Sequence, residues 1–218
     1  MSYQIAIDGP AGAGKSTIAK KVAREKKFIY VDTGAMYRAM AYYLFSQHVN
    51  PEDDVLVAEK CQEADITIQY EGGEQVVLLN GENANAHLRT EEVGNMASFT
   101  SKNPKVRERL TALQKELASK NNVVMDGRDI GTCVLPEADV KVYLTASAQV
   151  RAKRRFDELS EKGEACDLQK IEEDIIKRDK QDMNREIAPL KQAEDAVLID
   201  SSYMTIDEVV KEILALCR

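Results

Sequence analysis

The residues with the clearest chemical meaning form a glycine-rich stretch near the N-terminus. Residues 9–17 read Gly-Pro-Ala-Gly-Ala-Gly-Lys-Ser-Thr and match the pattern G-x-x-x-x-G-K-[S/T] through Gly9, Gly14, Lys15 and Ser16. Residues with little side chain let consecutive backbone N–H groups curl around a polyphosphate at the positive end of the following helix. The lysine would then reach the β- and γ-phosphates, and the serine hydroxyl would face Mg²⁺. The pattern predicts a phosphate-binding loop for a nucleoside triphosphate, with a glycine-rich turn that binds nothing as the alternative.

Two further loops carry groups that suit a second phosphate. Residues 32–38 read DTGAMYR and bring the hydroxyl of Thr33 and the guanidinium of Arg38 to the start of a predicted helix. Residues 126–132 read DGRDIGT and crowd three charges between glycines. Each loop follows a predicted strand, so both should lie at the carboxyl edge of the sheet, where ligands bind. Helix capping by the threonine and a salt-bridged turn in the second loop are the structural alternatives.

A third set of charges continues an apolar helical stripe. The stripe begins with Leu168, Ile171 and Ile175. Three charged residues keep its phase at i+7, i+11 and i+14 from Ile171, namely Arg178, Asp182 and Arg185. On an unbroken helix these two guanidiniums and the carboxylate would face inward, which suits a phosphate and a polyol. A solvated helix end with local ion pairs is the alternative.

An α/β fold must position these groups. Five short apolar runs, each before a loop, predict a parallel sheet with crossover helices, at residues 4–7, 28–31, 123–125, 140–144 and 196–199. Strand and turn signals at about 66–81 predict a small antiparallel insertion. A charged segment at about 148–187, here called the lid region, has two helical patterns separated by Gly163. It is either a mobile lid or a solvated helical hairpin. Its basic face, Arg151, Arg154 and Arg155, suits either solvation or triphosphate contact.

The composition argues against some kinds of binding partner and indicates a cellular compartment. The 218 residues include 37 acidic and 30 basic side chains, and the net charge of −7 argues against a nucleic acid or an anionic membrane as partner. The four cysteines form no C-x-x-C pair and are interpreted as reduced thiols of a cytoplasmic protein. We find no targeting segment and no apolar run near the ~18 residues of a membrane helix. Nothing demands a partner subunit, so a monomer is expected.

With these motifs, the chain resembles the bacterial cytidylate kinases, a family of nucleoside monophosphate kinases of the phosphate-loop class. The resemblance spans essentially the whole chain and rests on GPAGAGKST, DTGAMYR, MDGRDIGT, RDKQDMNREIAPL and an insertion at about 61–95. It implies transfer of the ATP γ-phosphoryl group to CMP or dCMP with Mg²⁺. It also implies a P-loop NTPase core with a five-stranded parallel sheet, an inserted NMP-binding part with a small antiparallel sheet, and a helical lid. The expected bounds are a core at about 1–32, 98–147 and 188–218, an NMP-binding part at about 33–97, and a lid at about 148–187.

The resemblance also implies roles for individual residues. The ATP site would comprise Gly9, Pro10, Ala11, Gly12, Ala13, Gly14, Lys15, Ser16, Thr17 and Arg154, with Ser16 facing Mg²⁺ through ATP. The CMP phosphate would be held by Thr33, Arg38, Arg128 and Arg185, and the sugar by Arg178 and Asp182. Cytosine would be read by Ser98, Arg107 and Asp129. Catalytic roles would fall to Lys15, Arg128, Arg178 and Arg185.

Three rival functions can be distinguished from this one. A kinase of the same class that acts on AMP, UMP or shikimate would differ only at the base-reading residues Ser98, Arg107 and Asp129. A nucleotide-binding switch or motor would use the same phosphate loop, but the chain has no N-K-x-D motif, and Asp126 is followed by Gly127 rather than by glutamate. A purely structural interaction module would have no use for two phosphate sites.

Overall fold

The structure is a computed structural model in which residues 2–217 are described. Its strands are β1 (Gln4–Asp8), β2 (Ile29–Asp32), β3 (Ile66–Glu71), β4 (Glu74–Leu79), β5 (Glu82–Asn83), β6 (Val123–Gly127), β7 (Val140–Thr145) and β8 (Val197–Asp200). Its α-helices are α1 (Lys15–Lys26), α2 (Thr33–Ser46), α3 (Asp54–Lys60), α4 (Glu91–Thr100), α5 (Pro104–Lys120), α6 (Ala148–Glu161), α7 (Leu168–Asn184) and α8 (Ile206–Leu216). A π-helical turn covers Ile130–Val134.

The main sheet confirms the α/β prediction. It is five-stranded and parallel, in the order β2-β6-β1-β7-β8, and its strands are the five apolar runs of the sequence. Strands β1 and β6 are almost entirely buried, as expected where helices cover both faces of a parallel sheet. In the register of β1, Asp8 lies beside Gly127 of β6 and Tyr143 of β7. The loops that follow these three strands therefore start at one edge of the sheet.

The chain divides into two compact units, and the first is mainly residues 29–121. It contains the predicted antiparallel insertion, a sheet in the order β3-β4-β5. The turn between β3 and β4 uses Gly72 and Gly73 at φ 58° and 85°, a backbone region that favours glycine. Helix α5 begins as predicted, because the side chain of Asn103 accepts a hydrogen bond from the N–H of Lys105 and Pro104 occupies the first turn.

The second unit comprises residues 3–28 and 122–217. It holds β1, β6, β7 and β8 with helices α1, α6, α7 and α8. The lid region forms the two predicted helices, α6 and α7, which pack against each other across a turn that contains Gly163 at φ 76°. The bounds of the two compact units differ from those of the core, NMP-binding part and lid, which stay a prediction.

Candidate active site

The phosphate loop joins β1 to α1 in the way that its glycines require. A Cβ atom on Gly9 would lie 1.9 Å from the carbonyl oxygen of Leu144, so any side chain at this position would collide with the backbone of β7. Gly14 precedes α1 in the left-handed region, at φ 86°, which only glycine adopts readily. Ser16 and Thr17, in the first turn of α1, are exposed. The N-terminal turn of the helix thus opens to solvent, with its N–H dipoles available to an anion.

Lys15 is buried within this loop. Its side chain donates a hydrogen bond from Nζ to the carbonyl oxygen of Pro10 at 2.8 Å, and the residue is only 6% exposed. Burial, followed by the positive charge of Arg128, lowers the pKa of Lys15 to about 7, against the opposing pull of Asp126 and Asp8. A bound polyanion would restore a favourable environment for the charged amine.

A hydroxyl and a carboxylate meet beside the lysine. Oγ of Ser16 donates to Oδ2 of Asp126 at 3.0 Å. Asp126 is buried near the end of β6 and is paired in register with Ile7 of β1. Adjacent parallel strands thus bring the carboxylate to the loop. Both groups are hard oxygen ligands of the kind that Mg²⁺ prefers.

Asp8 is a site residue that the sequence analysis missed. Its two carboxylate oxygens accept hydrogen bonds from the N–H groups of Ile130 and Gly131, at 2.8 and 2.7 Å, and the residue is buried. Burial raises the pKa of Asp8 to about 6, although these two hydrogen bonds act in the opposite direction. The available sequence signal was its position, one residue before Gly9 at the end of a buried strand.

The raised pKa of Asp8 predicts a pH-dependent stability difference. The pKa of this carboxyl is 3.8 in the unfolded chain and about 6 in the folded protein, so the folded protein favours the protonated form. The stability that protonated Asp8 contributes is fully present below pH 3.8 and is lost as the pH rises through 6. The unfolding free energy of the wild type, relative to Asp8→Asn, should fall by about 2.5 kcal/mol between about pH 4 and about pH 7. Urea denaturation of both proteins at both pH values measures this, because carboxylates far from Asp8 contribute equally to both. A difference that does not change with pH would contradict the assignment.

Two ion pairs tie the loop after β6 to the end of α7. Nε of Arg128 donates to Oδ2 of Asp182 at 3.0 Å, and Nη2 of Arg185 donates to Oδ1 of Asp129 at 3.2 Å. The side chains of the second pair are each 7% exposed. The loop therefore holds ion pairs, as in the structural alternative, but with partners more than 50 residues away along the chain. Both guanidiniums are thereby prepositioned.

The prediction of an inward-facing charged stripe on α7 is only partly confirmed. Asp182 is buried, but Arg178 is exposed, as is Leu168 at the start of the helix. Arg185 lies outside the helix, since α7 ends at Asn184 and Arg185 has extended backbone angles of φ −67° and ψ 142°. A long arginine stem at the edge of a stripe carries its charge to solvent, whereas a short aspartate cannot. Of the three predicted charges, Asp182 is buried within α7, and the side chain of Arg185 is buried beyond the end of the helix.

The basic face of α6 divides into three different environments. Arg151 is buried and pairs with Asp179 of α7 at 2.6 Å, so the solvated alternative does not describe it. Arg154 is half-buried and donates from Nη2 to the carbonyl oxygen of Ser201 at 2.7 Å. Arg155 is exposed and pairs with Glu158 on the same helix, as in the solvated alternative.

The first unit contains the other candidate CMP residues. Thr33 is buried as the first residue of α2, and the cap of this helix is Asp32, which accepts from the N–H of Ala35. The capping alternative for Thr33 is therefore wrong. The Arg38 guanidinium lies against the same helix start, since a Cβ atom on Gly34 would be 3.6 Å from Nη1 and Nη2 of Arg38.

Arg107 and Ser98 come from helices α5 and α4 of this unit. Arg107, on α5, is 5% exposed, donates to the carbonyl oxygen of Ser101 at 3.2 Å, and places its guanidinium carbon 5.5 Å from the ring centre of Tyr37. Tyr37 precedes Arg38, so this cation–π contact joins α5 to α2. Ser98 is half-buried on α4.

Comparison with known proteins identifies the family. Residues 5–218 match the family described as Cytidylate kinase. The chain belongs to the cytidylate kinase family. It is 50% identical to the cytidylate kinase of Caldicellulosiruptor bescii over 212 residues, which cover 97% of this chain and 94% of that protein. It is also 50% identical to the cytidylate kinase of Bacillus licheniformis, over 96% of this chain and 93% of that one.

Structural comparison supports the same architecture. The fold is similar to shikimate kinase from Bacteroides thetaiotaomicron, with a TM-score of 0.50, 16% identity, and coverage of 98% of this chain and 97% of that one. At this identity the likeness concerns the fold alone. Family membership makes the chain a nucleoside monophosphate kinase that phosphorylates CMP or dCMP, and a kinase of this family uses ATP. In the described part of the chain, no helix has the length and apolarity needed to cross a bilayer.

Proposed function

We propose that the described residues carry out the family reaction, transfer of the γ-phosphoryl group from MgATP to CMP or dCMP, with ADP and CDP or dCDP as products. The observation that carries the assignment to particular residues is the phosphate loop, with buried Lys15 at its centre and two prepositioned guanidiniums, Arg128 and Arg185, in the same compact unit. The proposed ATP ligands are Gly9, Pro10, Ala11, Gly12, Ala13, Gly14, Lys15, Ser16, Thr17 and Arg154.

The residues beside the loop fit a magnesium ion. Ser16 and Asp126 offer a hydroxyl and a carboxylate oxygen 3.0 Å apart at the start of α1. Mg²⁺ is commonly held by few protein oxygens together with substrate phosphates and water. We propose that Ser16 is the direct ligand, as the motif predicts, and that Asp126 orients it. The ion would neutralise phosphate charge when it is bound with ATP.

The catalytic groups act by position and charge. A phosphoryl group in transfer spreads negative charge over its oxygens, so fixed cations stabilise the transition state without a protein nucleophile. We propose that Lys15, Arg128, Arg178 and Arg185 supply these cations. Asp182 and Asp129 hold two of them by hydrogen bonds before substrate arrives, which reduces the reorganisation needed during the reaction.

The CMP ligands proposed here fall into three groups, for the phosphate, the sugar and the base. The phosphate would be bound by Thr33, Arg38, Arg128 and Arg185, and the sugar by Arg178 and Asp182. Cytosine presents an exocyclic amine that a carboxylate or hydroxyl accepts from, and a carbonyl that an arginine donates to. Asp129, Ser98 and Arg107 have these properties. We also propose that the chain is organised into the core, NMP-binding part and lid predicted from the sequence, and that it is a monomer in the cytoplasm.

An acceptor panel tests this function directly. Formation of ADP from MgATP is measured with CMP, dCMP, UMP, AMP, GMP and shikimate offered separately. We expect a clear preference for CMP and dCMP. Preference for another acceptor would retain phosphoryl transfer but overturn the cytosine assignment, and ATP binding without transfer to any acceptor would favour a nucleotide-binding switch.

Asp129→Asn should weaken discrimination between cytosine and uracil. Uracil carries a carbonyl where cytosine carries the amine, and asparagine can donate as well as accept, so the variant loses the acceptor-only character of a carboxylate. We expect the ratio of kcat/KM for CMP over UMP to fall by about 10-fold or more. Steady-state kinetics with both substrates measure this ratio. An unchanged ratio would remove Asp129 from base recognition.

A further inference from the structure

The buried guanidinium of Arg151 joins three parts of the second unit. Its Nε donates to the carbonyl oxygen of Ala146, which follows β7, at 2.8 Å. Its Nη1 donates to the carbonyl oxygen of Ala11 in the phosphate loop at 3.0 Å. Nη1 and Nη2 also donate to the two carboxylate oxygens of Asp179 on α7, at 3.1 and 2.6 Å. The paired side chains are 5% and 14% exposed.

The bond to Ala11 controls the orientation of a peptide in the phosphate loop. A trans peptide unit is planar, so the N–H of Gly12 points away from the carbonyl that Arg151 holds. The stem of Arg151 also packs on this residue, because a Cβ atom on Gly12 would lie 3.4 Å from its Cβ. Gly12 adopts φ 76°, a conformation with much freedom to change unless neighbouring contacts hold it. Arg151 therefore fixes the direction of one backbone donor in the loop.

Asp179 fixes the arginine in turn. A bidentate pair between a carboxylate and a guanidinium allows essentially one coplanar geometry. Since Asp179 belongs to α7 and Arg151 to α6, the phosphate loop is bonded to α6 and, through Arg151, to α7. Asp179 directly follows Arg178, and Asp182 lies one turn further along α7.

From these contacts we propose that Arg151 and Asp179 are positioning residues for ATP: the pair holds the Ala11–Gly12 peptide so that its N–H is preset for the triphosphate. This inference rests on the proposed function, because it assigns the loop to ATP. Neither residue needs to touch the nucleotide. The CMP residues Arg128, Asp129, Asp182 and Arg185 have their own ion pairs, so the effect should fall selectively on ATP.

Asp179→Asn is the principal test, because asparagine has nearly the same shape but loses the charge and replaces one acceptor oxygen with an NH2 donor. We expect KM for ATP to rise about 10-fold and KM for CMP to stay within about 2-fold. Binding of the nonhydrolysable analogue adenylyl imidodiphosphate, measured by calorimetry without CMP, should weaken by a similar factor. Arg151→Lys keeps the charge but loses the planar fork, so it should give the same selective effect.

A double variant and a matched control separate this role from general damage. Because both single changes break one shared pair, Arg151→Lys with Asp179→Asn should raise KM for ATP little more than either change alone. The control is Asp157→Asn, the same substitution at a residue of α6 whose side chain is 49% exposed and whose carboxylate pairs with Lys153. It should leave both KM values within about 2-fold.

Three outcomes would overturn the proposal. The first is an unchanged affinity for the ATP analogue with reduced stability to urea, which would make the pair merely structural. The second is an equal rise in both KM values, and the third is an effect of Asp157→Asn as large as that of Asp179→Asn. If Asp179→Asn does not fold, Arg151→Lys gives the same comparison. A wild-type protein that binds the analogue but does not phosphorylate CMP would refute the proposed function instead, while the binding measurements would still test the pair.

Discussion

Lys15→Met should lower kcat/KM for phosphoryl transfer by about 10³-fold or more while the protein remains folded. The amine is the cation at the centre of the phosphate loop, and methionine offers a chain of similar length without any charge to neutralise the phosphates. Initial rates with MgATP and CMP measure the loss. A matched control is Lys21→Met on the same helix, where the lysine is 46% exposed and pairs with Asp207. It should stay close to wild-type activity.

The stability of Lys15→Met is the more distinctive part of this prediction. Burial lowers the pKa of Lys15 to about 7, which means that the surroundings disfavour its charge in the folded protein. An apolar side chain in its place removes that cost, so the unfolding free energy should equal or exceed that of the wild type. Urea denaturation measures it. A variant that is both inactive and markedly less stable would show that Lys15 holds the loop together structurally.

Arg185→Ala should damage both turnover and stability. The guanidinium is one of the proposed cations for the transferred phosphoryl group, so kcat should fall by about 10²- to 10³-fold. Its removal also leaves Asp129 buried without this partner, which costs about 3–5 kcal/mol in comparable buried pairs. The fall in kcat should exceed that of Arg151→Ala, whose effect is expected on KM for ATP.

Adding Asp129→Asn to Arg185→Ala separates the two effects. The second substitution removes the buried carboxylate charge that has lost its arginine, so it should restore part of the unfolding free energy. It cannot restore the missing cation, so kcat should remain low. Urea denaturation and single-turnover kinetics of both variants measure the two quantities. Recovery of kcat together with stability would show that Arg185 acts only by supporting the fold.

The sequence was sufficient for features that depend on near neighbours along the chain. The phosphate loop could be predicted because its backbone needs glycine at Gly9 and Gly14 and a helix directly after them. The five strands could be predicted because buried parallel strands need continuous apolar runs, and α5 because Asn103 and Pro104 start a helix by local geometry. The small antiparallel sheet followed in the same way from Gly72 and Gly73.

The tertiary structure alone decided which distant charges meet. No local rule pairs Arg128 with Asp182, or Arg151 with Asp179, because each choice depends on how helices pack after strands align. Asp8 was missed for the same reason, since its partners are backbone N–H groups more than 120 residues away. Residue spacing along a helix predicts which side chains share a face, but the depth of burial comes from the packed neighbours, which leave Arg178 exposed and Asp182 buried.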